Sequence, residues 1–254
     1  MHVLVCRLKI GMNPKESNPM VLFTYIRFCF INYLRQHRYI WDLIVIVLFS
    51  VFFGGFFATT ELHDNIWLVF TVFAIILNLL TASMLFFLEK GNTLYFLLSK
   101  PDSRRQLFLA KIILIVLVDL FWVFLFAFLY GLRFLSVDYF MLLPLRLFLI
   151  ALVLLLSTLL LSLTYTYHPR QIWLVFLLII FGNIINKEAM MVFETPGDYA
   201  NLFAFLLPPF LELNFMAVTL DVLNWRMVFL VIALLQVWLL FYISRRRMLR
   251  KDLI

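Results

Sequence analysis

The chain has 254 residues, 65% of them hydrophobic and 14% charged, with a net charge of +7. Its mean hydropathy is +1.03, whereas soluble domains are nearer half apolar and a quarter charged. That composition excludes a water-soluble enzyme or nucleic-acid-binding domain and fits one integral membrane domain. The positive residues gather at the ends of apolar runs, where topology and anionic lipid headgroups account for them.

Residues 1–38 read as an N-terminal cytoplasmic segment ending in an interfacial helix. Met1 to Gly11 is too short for a signal peptide and is interrupted by Arg7 and Lys9. Met12 and Met20 are alternative starts. From Met20 to Arg38, Thr24, Arg27, Arg35 and Arg38 fall near one helical face, with Asn32 beside them. Phe23, Ile26, Phe30, Ile31 and Leu34 supply the apolar face expected of a helix lying in the headgroup plane. The segment reads either as a positive flank of the first span or as an elbow helix touching a cytoplasmic partner. Cys6 and Cys29 lack C-x-x-C spacing and are expected to be reduced.

Residues 39–254 then form one transmembrane domain. The first span is expected over Tyr39 to Thr60, with Asp42 near a water-reachable end and Gly54 and Gly55 permitting close helix contact. Glu61 to Asn65 is a short acidic outer loop. The second span, 66–88, carries Asn78 and Ser83. Next comes Glu89 to Lys111, the longest polar stretch away from the termini, with Lys90, Lys100, Arg104, Arg105 and Lys111 against Glu89 and Asp102. Within it, Thr93 to Leu98 is helix-compatible and Pro101 ends any helix there. Ser103 restarts one, with Gln106 completing a capping box, and that helix enters the third span, 112–132, without a break. Asp119 lies in this span.

The fourth span, Tyr139 to Leu163, carries Arg146, after an outer loop from Arg133 to Asp138. Thr164 to Gln171 returns to the cytoplasm. The fifth begins at Ile172, and its apolar part ends near Ile185, ~21 Å long at 1.5 Å per residue. Either it continues to Phe193, or Asn186, Lys187 and Glu188 mark its outer end. Leu202 to Leu223 is broken at Pro208-Pro209 and carries Glu212 and Asn214, so a re-entrant hairpin fits better than a crossing. The sixth span is Met227 to Ile243, followed by a basic tail. Of the 21 basic residues, 17 then lie inside; Arg133, Arg146, Lys187 and Arg226 are the exceptions. The expectation is an all-α integral membrane protein of the cell membrane, with six transmembrane helices and both termini cytoplasmic.

The loop carries a family likeness. Glu89, Thr93, Leu94, Leu97, Leu98, Ser99, Pro101, Ser103, Arg104 and Lys111 follow a pattern that resembles the loop between the second and third spans of type-2 ATP-binding-cassette (ABC) exporter permeases. Asn92 stands where that pattern has Gly, and Tyr95 where it has Glu. The resemblance implies an ABC transporter permease without ATPase motifs of its own and a separate ABC ATPase subunit binding ATP and Mg. It also implies a second permease copy, identical or related, and a substrate path between the two. The ATPase-coupling element would be loop 89–111, with Arg105 beside Arg104 on its charged rim. Re-entrant helices before the last span belong to the same likeness. Leu94, Leu97 and Leu98 share one helical face, which either docks into an ATPase groove or lies against the headgroups and finishes the second span.

No phosphate loop, H-E-x-x-H or G-x-S-x-G occurs, and His2, His37, His63 and His168 are scattered. No cofactor or metal is expected on this chain. Asp119 and Arg146 are the intramembrane ionisable residues. At depths ~9 Å apart by helical rise they meet only through tilt or a water. They read first as structural, with two other readings open: an ion-coupled secondary transporter using Asp119, and a membrane anchor or scaffold for another complex.

Overall fold

The computed structural model describes residues 19–54, 62–86, 103–167, 172–191, 204–220 and 226–250. Among them are eight α-helices and no strands. They are α1 (Pro19–Arg35), α2 (Tyr39–Phe52), α3 (Ile66–Phe86), α4 (Ser103–Phe134), α5 (Val137–Tyr167), α6 (Ile172–Ile184), α7 (Phe210–Thr219) and α8 (Met227–Arg250). Four of them, α3, α4, α5 and α8, are long and apolar enough to cross a membrane. At ~1.5 Å per residue, α2, α6 and α7 reach only ~15–21 Å, short of a ~30 Å hydrocarbon core. Elements 87–102, including Glu89, Thr93, Leu94, Leu97, Leu98 and Pro101, lie outside the described residues, as do 168–171 and 192–203.

The interior is built on α3, α4 and α5, which pack against one another. Helix α1 lies against α4, α2 against α3, and α8 chiefly against α5. The short α7 sits among α3, α5 and α6. His37, Leu135 and Leu220 take left-handed backbone (φ 54, 49 and 58) at helix ends, a conformation costing ~1–2 kcal/mol for a residue with a Cβ. Leu135 lets α4 turn into α5 within two residues.

The distribution of polarity is inverted relative to a soluble protein. Large apolar side chains face outward on α2 (Val47, Val51, Phe52), α4 (Leu117, Phe121) and α8 (Leu235, Trp238, Leu239). Asp42, Asn78, Thr81, Asp119, Ser157 and Thr158 are buried. Water would penalise such an exterior, and lipid does not. The chain is thus a multi-pass membrane protein by the length and surface of its helices.

Several expectations hold and several change. Helix α3 matches the second span. Helix α4 is continuous over 32 residues from Ser103, so the loop re-enters its span without a break. Ser103, however, does not cap. Its hydroxyl takes no hydrogen bond from the Gln106 amide and instead faces Tyr25 of α1. Helix α6 stops at Ile184, and residues 185–188 turn into a short 3-10 segment, Ala189–Met191. The polar group therefore ends that helix, and the continuation to Phe193 is excluded. The Pro208-Pro209 break is where α7 begins.

Helix α1 packs against the bundle through a stripe that the sequence pattern does not single out. Tyr25, Cys29 and Tyr33 are its buried stripe, and Phe23, Phe30, Ile31 and Leu34 point away. Burial pushes the Tyr25 phenol above its ordinary value, against the smaller effect of Ser103. Gly54 meets nothing within 4 Å of where a Cβ would stand; close approach occurs instead at Gly131, against Tyr139, and at Gly182, against Phe210 and the Pro208 carbonyl.

Candidate functional site

Two apolar cores fill the bundle. One joins α1, α3, α4, α5 and α7 through residues such as Cys29, Leu85, Leu114, Leu156 and Leu213. The other is aromatic and lies toward the opposite end, with Phe49, Trp67, Phe70, Phe73, Tyr130 and Tyr139. Between them on α3 come Asn78 and Thr81, and between them on α4 comes Asp119. Here apolar packing gives way to a layer of hydrogen bonds.

Asn78 is the hub. Its amide nitrogen donates to Asp119 Oδ2 at 2.8 Å and to Thr158 Oγ1 at 2.8 Å. Its carbonyl oxygen accepts from Ser157 Oγ at 2.7 Å. One side chain of α3 thereby ties α4 and α5 together, using both amide N–H groups. A turn further along α3, Thr81 donates to Asp42 Oδ1 at 3.4 Å and lies within reach of Asp119. Asp42 also accepts a short hydrogen bond from the Tyr33 phenol of α1. Five helices, α1 to α5, converge on this layer.

Asp42 and Asp119 are both 0% exposed. For Asp42 this overturns the expectation of a water-reachable position. The turn at Gln36–Arg38 brings the Tyr33 hydroxyl of α1 onto the Asp42 carboxyl at the start of α2. Asp119 Oδ1 has no hydrogen-bond partner. Among the described residues the ion pairs are Arg146–Asp64, Lys187–Glu212 and Arg226–Glu188, so no cation there neutralises either buried carboxyl. Burying such groups with incomplete pairing costs ~1–3 kcal/mol or more each. An arrangement that costly is a marker of function in a membrane interior.

Arg146 does not meet Asp119. It pairs with Asp64 at 2.6 Å, at the far end of α3, and its guanidinium lies 5.1 Å over the Trp67 ring. This is the outward reach that a long cationic side chain makes from a membrane interior.

Of the loop residues, Ser103, Arg104, Arg105 and Lys111 are described. Arg104 and Arg105 are half-buried on the first turn of α4. Lys111 is buried and donates to the Phe86 carbonyl at 3.0 Å. Arg38 Nη1 donates to the Met84 carbonyl at 2.7 Å. Two cations thus satisfy the last carbonyls of α3, where the helix dipole is negative. Lys111 therefore ties α4 to the end of α3, at the base of the loop.

A second polar cluster was half visible in the sequence. Lys187 Nζ donates to Glu212 Oε2 and to the Pro208 carbonyl, each at 3.1 Å, and the Lys187 amide donates to Glu212 Oε1 at 2.7 Å. Asn214 donates to Asn183 at 2.9 Å. These contacts pin α7 to the end of α6. Gln236 of α8 holds the preceding segment through the Phe205 carbonyl at 3.1 Å.

No known family model and no curated protein matches the chain.

Proposed function

We propose that this chain is the membrane-spanning permease subunit of an ATP-driven exporter of the type-2 ABC class, coupled to a separate ATPase through the 89–111 loop. The observation that carries the reading is the continuity of α4. One helix runs from Ser103, at the loop, past Lys111 to Asp119 in the polar layer. A push at its first turn reaches Asp119, ~24 Å away by helical rise, without a joint to absorb it. The clamps at Arg38 and Lys111 fix the loop base to α3, and α1 braces α4 from the side.

In this reading the four long helices are joined by two further crossings. Helix α2 belongs to the first, and α6 to the fifth. Helix α7 and the residues just before it form a re-entrant hairpin, with Pro208 and Pro209 buried where α7 begins. Both termini and the loop are cytoplasmic, and α1 is the elbow helix at that surface. Partners are the ATPase, which carries ATP and Mg, a second permease copy, and lipid.

A second reading is favoured by the two uncompensated carboxyls. Asp42 and Asp119 could carry ions for a secondary transporter. Reconstitution separates the two. The exporter moves substrate only with its ATPase and ATP, whereas the carrier moves it alone down an ion gradient. A membrane anchor would move none.

A further inference from the structure

Arg146 uses one of its nitrogens on Asp64 and leaves two without a partner. Nε and Nη1 are both buried and unbonded, and so is Trp67 Nε1 beneath the same guanidinium. Arg146 is 4% exposed and Trp67 0%. Three donor nitrogens, two of them on a cation, therefore stand unsatisfied in one place. Tyr139 stacks on Trp67 with centroids 5.7 Å apart and spends its own hydroxyl on the Ala127 carbonyl at 2.9 Å. Its oxygen accepts from none of these nitrogens. Lone buried donors are rare because each costs free energy; three together call for an acceptor with several oxygens.

We propose that Arg146 and Trp67 form a binding site for a phosphate-class anion, with Asp64 as the internal occupant it displaces. The chemistry fits. Guanidinium pairs with phosphate oxygens through several N–H groups at once, and the indole N–H adds a neutral donor. Asp64 holds one edge of the guanidinium, yet its side chain is 61% exposed, so it can swing into water and give up that edge. The aromatic frame of Trp67, Tyr130 and Tyr139 is the kind found at the headgroup level of a bilayer. The phosphate could therefore belong to a lipid headgroup or be free in solution. The site does not depend on whether the chain works with an ATPase.

The test uses the full chain in alkyl maltoside micelles, which contain no phosphate. Its six tryptophans are replaced by fluorotryptophan, and the Trp67 fluorine resonance is identified by its loss in Trp67→Phe. Inorganic phosphate and a short-chain phosphatidylglycerol are titrated separately, with sodium chloride as the ionic-strength control. A saturable shift with inorganic phosphate assigns a free-anion site, and one with phosphatidylglycerol alone assigns a lipid site. Asp64→Asn, which removes the competing charge, should tighten the response severalfold. Arg146→Lys, which keeps the charge but loses the spread of donors, should lose saturation. If neither probe shifts Trp67 in wild type or in Asp64→Asn, or if chloride shifts it equally, the proposal is overturned. Asp64→Asn keeps the test decisive if Arg146→Lys fails to fold.

Discussion

Asn78 holds Asp119 by a 2.8 Å hydrogen bond while the same amide nitrogen reaches Thr158, so the carboxyl on α4 is fixed in place by a residue that also grips α5. Its other oxygen is unbonded. The hub and its dependant can be separated by mutation. Hydrogen bonds between membrane helices average ~0.6 kcal/mol, and Asn78 makes three of them, to Asp119, Thr158 and Ser157. Asn78→Ala should cost ~2 kcal/mol from those bonds, and ~1–3 more from leaving Asp119 bare. Thr158→Val should cost about 1 kcal/mol. Reversible unfolding in mixed micelles measures both. Equal losses would show that Asn78 is not the hub.

Asp119→Asn asks whether the carboxyl serves structure or ion movement. On the structural account the variant is less stable and the surviving protein keeps ATPase-coupled transport. On the carrier account it folds normally and its transport no longer responds to a proton gradient. Thermal stability and gradient-dependent uptake, measured on the same preparation, distinguish them.

The Lys187–Glu212 pair should behave as a buried ion pair. Glu212→Gln strands a buried ammonium and should cost ~3–5 kcal/mol. Replacing both partners, Lys187→Met with Glu212→Leu, should cost less. It should not be neutral, because the Lys187 amide and the Pro208 carbonyl also lose partners, at about 1 kcal/mol each, the low end of the cost of an unpaired buried group. Gly182→Ala should disturb the same joint, since a Cβ there would stand 2.8 Å from the Phe210 ring and 2.9 Å from the Pro208 carbonyl. A stable, fully active Gly182→Ala protein would mean that α6 and α7 can separate without consequence.

Topology is open to direct labelling in intact cells. Cysteines at Asn65, Ser136 and Gly197 should react with a membrane-impermeant thiol reagent added outside. Those at Asn92, Gln171 and Arg246 should not. Arg246 serves for the tail because Ser244 is buried against Ser162 at 3.0 Å. External labelling at Asn92 would invert the arrangement.

Much of the helix layout was legible because charges and prolines bound the apolar runs. Helix α3 ends before a charged loop, α6 ends at Asn186-Lys187-Glu188, and α7 starts after Pro208-Pro209. What faces what was less legible. In a soluble helix the apolar stripe marks the core, but in lipid both faces are apolar. On α1 the exposed Phe23 and Phe30 were legible as an apolar face for the headgroup plane, but the stripe of Tyr25, Cys29 and Tyr33 that packs against the bundle was not. Asp42 was placed near water because it lies near a helix start. Only the turn between α1 and α2 shows Tyr33 closing on it. Asn78 carried a signal, being a lone amide in an apolar run, but its three partners come from α4 and α5, and a single sequence does not pair them. Arg146 was seen; its partner Asp64 looked like an ordinary loop residue.

The central claim is that the loop before α4 receives force from an ATPase, and one variant tests it most directly. The tagged full-length chain is purified from its native membranes, and ATP hydrolysis is measured in the wild type and in Leu97→Asp, with insertion checked by the labelling pattern above. A charge at a docked apolar contact costs several kcal/mol, and each ~1.4 kcal/mol is tenfold in affinity. The account therefore predicts ATPase activity with the wild-type chain and its near-complete loss with Leu97→Asp, at unchanged insertion. A correctly inserted Leu97→Asp chain that still carries full ATPase activity would contradict it.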